Sequence, residues 1–161
     1  MLCSSEAVRR AADLGVVISC QPQFLHLFRD VTGKLGKERA SRLVVTRDWL
    51  AAGVPLALGS DAPTMPWYTP QMTLFGAVVR KDASGRNLFP EQSLTIQEAM
   101  RLHTMGSAYA AFEENVKGSL EPGKLADLAV WRDDPYSLPP RHLPEVEIEM
   151  TMIGGKIVYQ S

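Results

Sequence analysis

The first half of the chain alternates short unbroken apolar runs with stretches in which apolar residues recur every three or four positions. Unbroken runs suit strands buried on both faces and the wider spacing suits helices, so the pattern predicts strand, helix, strand, helix on a parallel sheet. Ser4 and Ser5 are candidate N-caps for a helix over 6–14, with Val8, Ala11 and Ala12 on one face and Gly15 as its stop. A strand over 16–20 ends at Gln21 and Pro22, and 24–36 reads as loop. Ala40, Leu43, Val44, Leu50 and Ala51 then mark one helix closed by Gly53. The run Val54-Pro55-Leu56-Ala57-Leu58 is the second strand. It opens into Gly59-Ser60-Asp61, and after a loop over 62–69 Pro70 starts a helix carrying Met72, Phe75, Gly76 and Val79 on one face.

The second half begins with a polar linker over 81–93. Thr95-Ile96-Gln97-Glu98 has the spelling of a capping box, and Thr104 reads as the cap of a further helix through Ala108, Ala111 and Phe112. After Gly118 the periodicity changes to strands: 127–131, then 146–152, joined through Gly154-Gly155 to 156–159. Three strands with one wet face do not close, so this tail is expected to pair with strands from elsewhere.

With 161 residues, 45% hydrophobic and 22% charged, the chain has the composition of a soluble globular protein. Seventeen Lys and Arg against eighteen Asp and Glu give a formal charge of −1 with no basic stripe, which argues against nucleic acid and membrane as partners. No segment has the pattern of a secretory signal or a membrane span, and the two cysteines, Cys3 and Cys20, form no C-x-x-C; the expectation is a cytoplasmic protein.

Candidate chemistry concentrates on Asp61. A carboxylate where a buried parallel strand opens into a loop stands where α/β folds bind ligands, and Met65, Trp67 and Tyr68 follow it; it could contact a divalent metal and accept a proton from water. The plainer alternative is a turn whose carboxylate caps backbone N–H groups. Gln21, His26, Met65 and Trp67 are the candidate pocket residues. His103 reads as a packed core histidine, His142 as an exposed loop residue, Lys124 as a solvated turn residue and Asp127 as a hydrogen-bond acceptor within its own turn. The stretch Gly118–Leu125 nearly spells a P-loop, but Leu125 stands where Ser or Thr should hold magnesium and a strand, not a helix, follows. A phosphatase with an aspartate nucleophile would want a second aspartate at Pro63, and no G-x-S-x-G elbow is present.

Residues 56–63, the stretch 118–131 and the stretch 151–158, in that order, resemble the amidohydrolase superfamily of metal-dependent hydrolases, in particular its N-substituted formamide deformylase and D-aminoacylase-like branch. Gln21-Pro22 is similar to the end of that family's seventh barrel strand and Gly59-Ser60-Asp61 to the end of its eighth. The resemblance implies an α/β fold: the last two strand–helix units of a TIM-type (β/α)8 barrel over 1–117, followed by strands of a small β-sandwich domain over 118–161. It implies that Asp61 contacts a divalent metal, zinc by expectation, and serves as general base in hydrolysis of a non-peptide, amide-type C–N bond in a small molecule. The family's His-x-His pair, bridging lysine and later histidines have no counterpart here. The chain therefore reads as a C-terminal fragment, without a cofactor and inert alone, needing an N-terminal half or a second copy to complete its sheet. The rival expectation is a non-catalytic protein-interaction module or a truncated remnant.

Overall fold

The computed structural model describes residues 2–161. The first helix, α1 (Ser5–Asp13), starts where Ser4 Oγ accepts a hydrogen bond from the Ala7 N–H at 3.2 Å, and ends at Gly15, whose φ of +65° turns the chain into β1 (Ile18–Cys20). Strand β2 (Leu56–Leu58) pairs with β1 in parallel, Ile18 opposite Leu56 and Cys20 opposite Leu58. All three β2 residues are buried, as an unbroken apolar run requires. Each strand is shorter than its apolar run.

Between the strands the chain is more structured than its sequence predicts. The expected loop over 24–36 instead holds a 3-10 helix (Pro22–Leu27) and α2 (Val31–Leu35), the former begun by Pro22, the latter capped by Asp30, whose carboxylate accepts from the Gly33 N–H at 3.2 Å. The single helix expected from Ala40 to Ala51 is two, α3 (Lys37–Ala40) and α4 (Thr46–Ala51). They are separated by Val44, fully buried at φ +51°. The cause is tertiary: the Arg80 guanidinium donates to the carbonyls of Leu43 and Val44, and Gln92 Oε1 caps α4 from outside by accepting the N–H groups of Arg47 and Asp48.

Helix α5 (Pro70–Val78) begins at Pro70 as expected but is buried nearly all round, including Gln71, Thr73, Leu74 and Ala77. The stretch 81–93, expected to be a polar linker, folds around buried Asp82, which accepts from the N–H and hydroxyl of Ser84 and the N–H and guanidinium of Arg86. Burial pushes the Asp82 carboxyl up, yet these donors outweigh it and hold the group at about 2. Glu98 is likewise held at about 2, chiefly by its two hydrogen bonds from Arg47. Both carboxyls titrate lower folded than unfolded. Their contribution is therefore present in full above the ordinary carboxylate range and is lost as pH falls through about 2. Urea midpoints should fall steeply between about pH 4 and about pH 2, and Asp82→Asn should flatten that fall by about 2 kcal/mol. An unchanged acid limb in the variant would refute the assignment.

Helix α6 (Ile96–Arg101) carries the expected capping box, both Thr95–Glu98 bonds being present. The separate helix expected from Thr104 is not there. A π-helical turn (Leu102–Gly106) runs straight into α7 (Ser107–Ala110), and Thr104 Oγ1 donates back to the Met100 carbonyl at 2.9 Å instead of capping. This segment lies against β2. The Leu58 carbonyl accepts from Ser107 Oγ at 2.9 Å and contacts His103 Nδ1 at 3.1 Å, while a Cβ on Gly106 would stand 2.3 Å from the Leu56 carbonyl. Because Pro55 and Gly59 bond toward β1, the Leu56 and Leu58 carbonyls face the other edge, which the helix covers.

The tail is the expected hairpin with an extra strand: β3 (Leu128–Trp131), β4 (Ile148–Ile153) and β5 (Lys156–Gln160) form an antiparallel sheet in that order. Strand β5 is exposed along its whole length. Two polar residues differ from expectation. Lys124 is not solvated; its side chain is 12% exposed and Nζ donates to the Glu114 carbonyl and Ser119 Oγ while pairing with Glu121. Asp127 accepts from the Gly154 N–H at 2.7 Å, so it braces the β4–β5 turn rather than its own. His142 lies in a 3-10 helix (Pro140–Glu145), 3.1 Å from Glu145, whose neighbour Leu143 is fully buried in the core with Leu58, Leu74 and Phe75. Among the described residues no helix is long and apolar enough to cross a membrane.

Candidate functional site

Parallel pairing brings the carboxyl ends of β1 and β2 to one edge, so Gln21, Pro22 and Gln23 leave the sheet beside Gly59, Ser60 and Asp61. Asp61 has φ +57°, a left-handed conformation that a short polar side chain tolerates, and its carbonyl accepts from the Thr64 N–H at 2.9 Å. The residue is exposed. Among the described residues its carboxylate accepts no hydrogen bond, so the turn is closed by backbone and the carboxylate is left facing water, unlike the capping alternative.

The candidate pocket residues fall into two groups. His26, on the 3-10 helix after β1, meets Trp67, on the loop after β2, edge-to-face with ring centroids 5.2 Å apart; Phe75 of α5 packs against the same imidazole at 5.8 Å. Met65 is buried at 3% exposure, while Trp67 is half-buried. Gln21 stands apart: its Nε2 donates to Ser19 Oγ at 3.2 Å on the outer strand. Thus His26 and Trp67 are brought together, and Gln21 is occupied on β1.

Two residues of this edge escape a reading of the sequence. Phe75 was legible only as a core position of α5. Gln23 is fully buried, and its Nε2 donates to the Gly59 carbonyl at 3.1 Å, tying the turn after β1 to the end of β2. The one signal for it is its place three residues before His26, which on a 3-10 helix is the same face. His103 is half-buried, and burial pushes its pKa below the ordinary value against the opposing effect of the Leu58 carbonyl, which keeps the ring neutral near pH 7.

A metal site is a different matter. Among the described residues no group of three or more His, Cys, Asp or Glu is placed to hold a metal ion. Asp61 is a single, solvated carboxylate, and a catalytic zinc takes about three protein ligands with one position open, so these residues alone do not fit a metal.

A sequence profile described as "Amidohydrolase family" matches residues 1–159. YtcJ of Bacillus subtilis is 33% identical over 160 residues, 97% of this chain and 30% of that protein. The N-substituted formamide deformylase of Arthrobacter pascens is 31% identical over 154 residues, 94% of this chain and 28% of the enzyme. Among solved structures, an uncharacterized metal-dependent hydrolase from Pyrococcus horikoshii superposes with a TM-score of 0.75 at 27% identity, covering 88% of this chain and 29% of that one. The chain thus spans about 30% of the length of the relatives it matches.

Proposed function

Because the chain belongs to the amidohydrolase family, a family of metal-dependent hydrolases with an α/β barrel fold, we propose that it supplies the last two strand–helix units of such a barrel and part of its small β-domain. Asp61 is the general base in that reading. The observation that carries it is the Asp61 carboxylate, held at the carboxyl end of β2, exposed and free of hydrogen bonds from the described residues. A base must reach the proton it takes, and only an unpaired carboxylate at the mouth of the strands is free to do so.

The reaction is hydrolysis of an amide-type, non-peptide C–N bond. Water oxygen bonds to the carbonyl carbon while its proton passes to Asp61; the C–N bond then breaks, and the proton leaves with the nitrogen. The similarity to a formamide deformylase supports a small amide-like substrate. The His26–Trp67–Phe75 cluster supports an apolar wall beside the reacting carbon, with buried Met65 on the same loop as Trp67. The divalent metal of the family, zinc in this proposal, would polarise the carbonyl and would draw on Asp61 plus ligands from outside these residues. Strand β5, open along its length, supports pairing with strands supplied from outside, either the remainder of the barrel protein or a second copy.

Residues 1–161 alone are accordingly inactive. Calorimetric titration of this chain with zinc should show no tight stoichiometric binding, and incubation with N-substituted formamides should release no formate. Tight one-to-one zinc binding by the chain alone would overturn the claim that its site needs further ligands.

A further inference from the structure

Asp61 has no hydrogen bond to fix its carboxylate and sits in a left-handed, exposed turn, so its place is set by what holds the backbone just before it. That backbone is held at Gly59. The Gly59 N–H donates to the Cys20 carbonyl at 3.0 Å, and the Gly59 carbonyl accepts from Gln23 Nε2 at 3.1 Å, a side-chain bond spanning 36 positions of sequence. Gln23 itself has no freedom to wander. A Cβ on Gly76 would lie 2.6 Å from the Gln23 nitrogen and 2.7 Å from the Pro22 carbonyl carbon, so α5 presses directly on the backbone of the turn. The glutamine is sealed from solvent with only its donor in use: Gln23 Oε1 and His26 Nδ1, on the same face of the 3-10 helix, are both buried and unpartnered. Burying an amide with half its capacity unmet is costly, which makes a purely packing role for this side chain hard to sustain.

We propose that Gln23 is the positioning residue for Asp61: by anchoring the Gly59 carbonyl between α5 and the mouth of β2, its side-chain amide fixes where the Asp61 carboxylate is presented. The proposal rests on the reading of Asp61 as general base. A neutral amide suits the task because its donor is present at every pH, so the presentation of the base does not titrate along with the base. Misplacement by a fraction of an ångström is enough to matter for proton transfer over hydrogen-bond distances.

The test is amide hydrogen exchange of the chain by NMR, expressed as protection relative to the intrinsic rate of each amide. In Gln23→Leu, which keeps the bulk and removes the donor, protection of the Gly59 and Thr64 amides, the two of this stretch that donate hydrogen bonds among the described residues, should fall by about tenfold, the scale of one lost buried hydrogen bond. In Gln23→Glu the neutral acid can donate to the Gly59 carbonyl and the carboxylate cannot. Protection at Gly59 and Thr64 should then stay near the parent's at acid pH and drop in one step as the introduced carboxyl ionises, a step absent from the parent and from the leucine variant. Unchanged protection at Gly59 and Thr64 in the leucine variant, or a loss spread evenly over β1, β2 and α5, would overturn the proposal. If the leucine variant fails to fold, the pH step in the glutamate variant decides alone: its presence supports the anchor and its absence refutes it. None of these readouts involves turnover, so failure of Asp61 as a base would show separately, as activity surviving its removal with the protection pattern intact.

Discussion

Arg80→Met is expected to destabilise the chain by about 3–5 kcal/mol, the largest loss for any single substitution argued from this fold. Arg80 is fully buried, and its guanidinium donates to the carbonyls of Leu43, Val44, Leu88 and Phe89. Burial lowers its pKa to about 10, with Cys20 and Glu91 opposing the shift, so the group stays charged near neutral pH. What neutralises the charge is backbone dipoles. Those carbonyls belong to segments with residues in the left-handed region, Val44 at φ +51° and Phe89 at φ +51°, which regular helix or strand bonds cannot satisfy. Methionine matches the stem in volume but supplies no donors, leaving the Leu43 and Leu88 carbonyls unpaired while those of Val44 and Phe89 keep only the N–H groups of Thr46 and Gln92, and lysine offers three donors where a planar fork is needed. Urea unfolding followed by circular dichroism should show the loss in full for Met and in large part for Lys. A methionine variant within about 1 kcal/mol of the parent would mean that water replaces the guanidinium and the segments do not depend on it.

Arg80 also marks where the sequence stops being legible. Strand β2, the Thr95 capping box, the start of α5 and the Gly154-Gly155 hairpin all follow from local patterns, and each forms because the residues that specify it are neighbours in the chain. The break at Val44 and the cap of α4 by Gln92 come from side chains about 40 positions away, the fold of 81–93 comes from a buried aspartate, and hydropathy places an arginine, a glutamine or an aspartate in water. The π-turn over Leu102–Gly106 escapes for a similar reason: His103, Gly106 and Ser107 are fitted to the Leu56 and Leu58 carbonyls, a constraint outside the helix itself. For the candidate site, the place of Asp61 just past the end of β2 was readable because it follows an unbroken apolar run directly in the chain. His26 meeting Trp67 needed the two strand ends to be side by side, and Gln23 needed its distant acceptor, Gly59, to be known.

Asp61→Asn separates the catalytic reading from the rest. In a protein that joins this chain to the remaining strands of the barrel, the substitution should lower kcat by about 10²–10⁴-fold while KM changes little, because asparagine keeps the shape but cannot take the proton of the attacking water. The isolated chain provides the complementary measurement. Asp61 is exposed and its carboxylate is not hydrogen-bonded among the described residues, so the stability read from urea unfolding should move by no more than about 0.5 kcal/mol, in contrast to the Arg80 variant. The large kinetic loss is what a base at a strand mouth predicts and a turn-capping carboxylate does not, since asparagine caps a turn about as well as aspartate and would leave turnover unchanged. A non-catalytic interaction module predicts the unchanged fold without the kinetic loss. Activity left intact by Asp61→Asn would move the proton acceptor elsewhere, and the Gln23 anchor would then be holding a loop that serves binding alone.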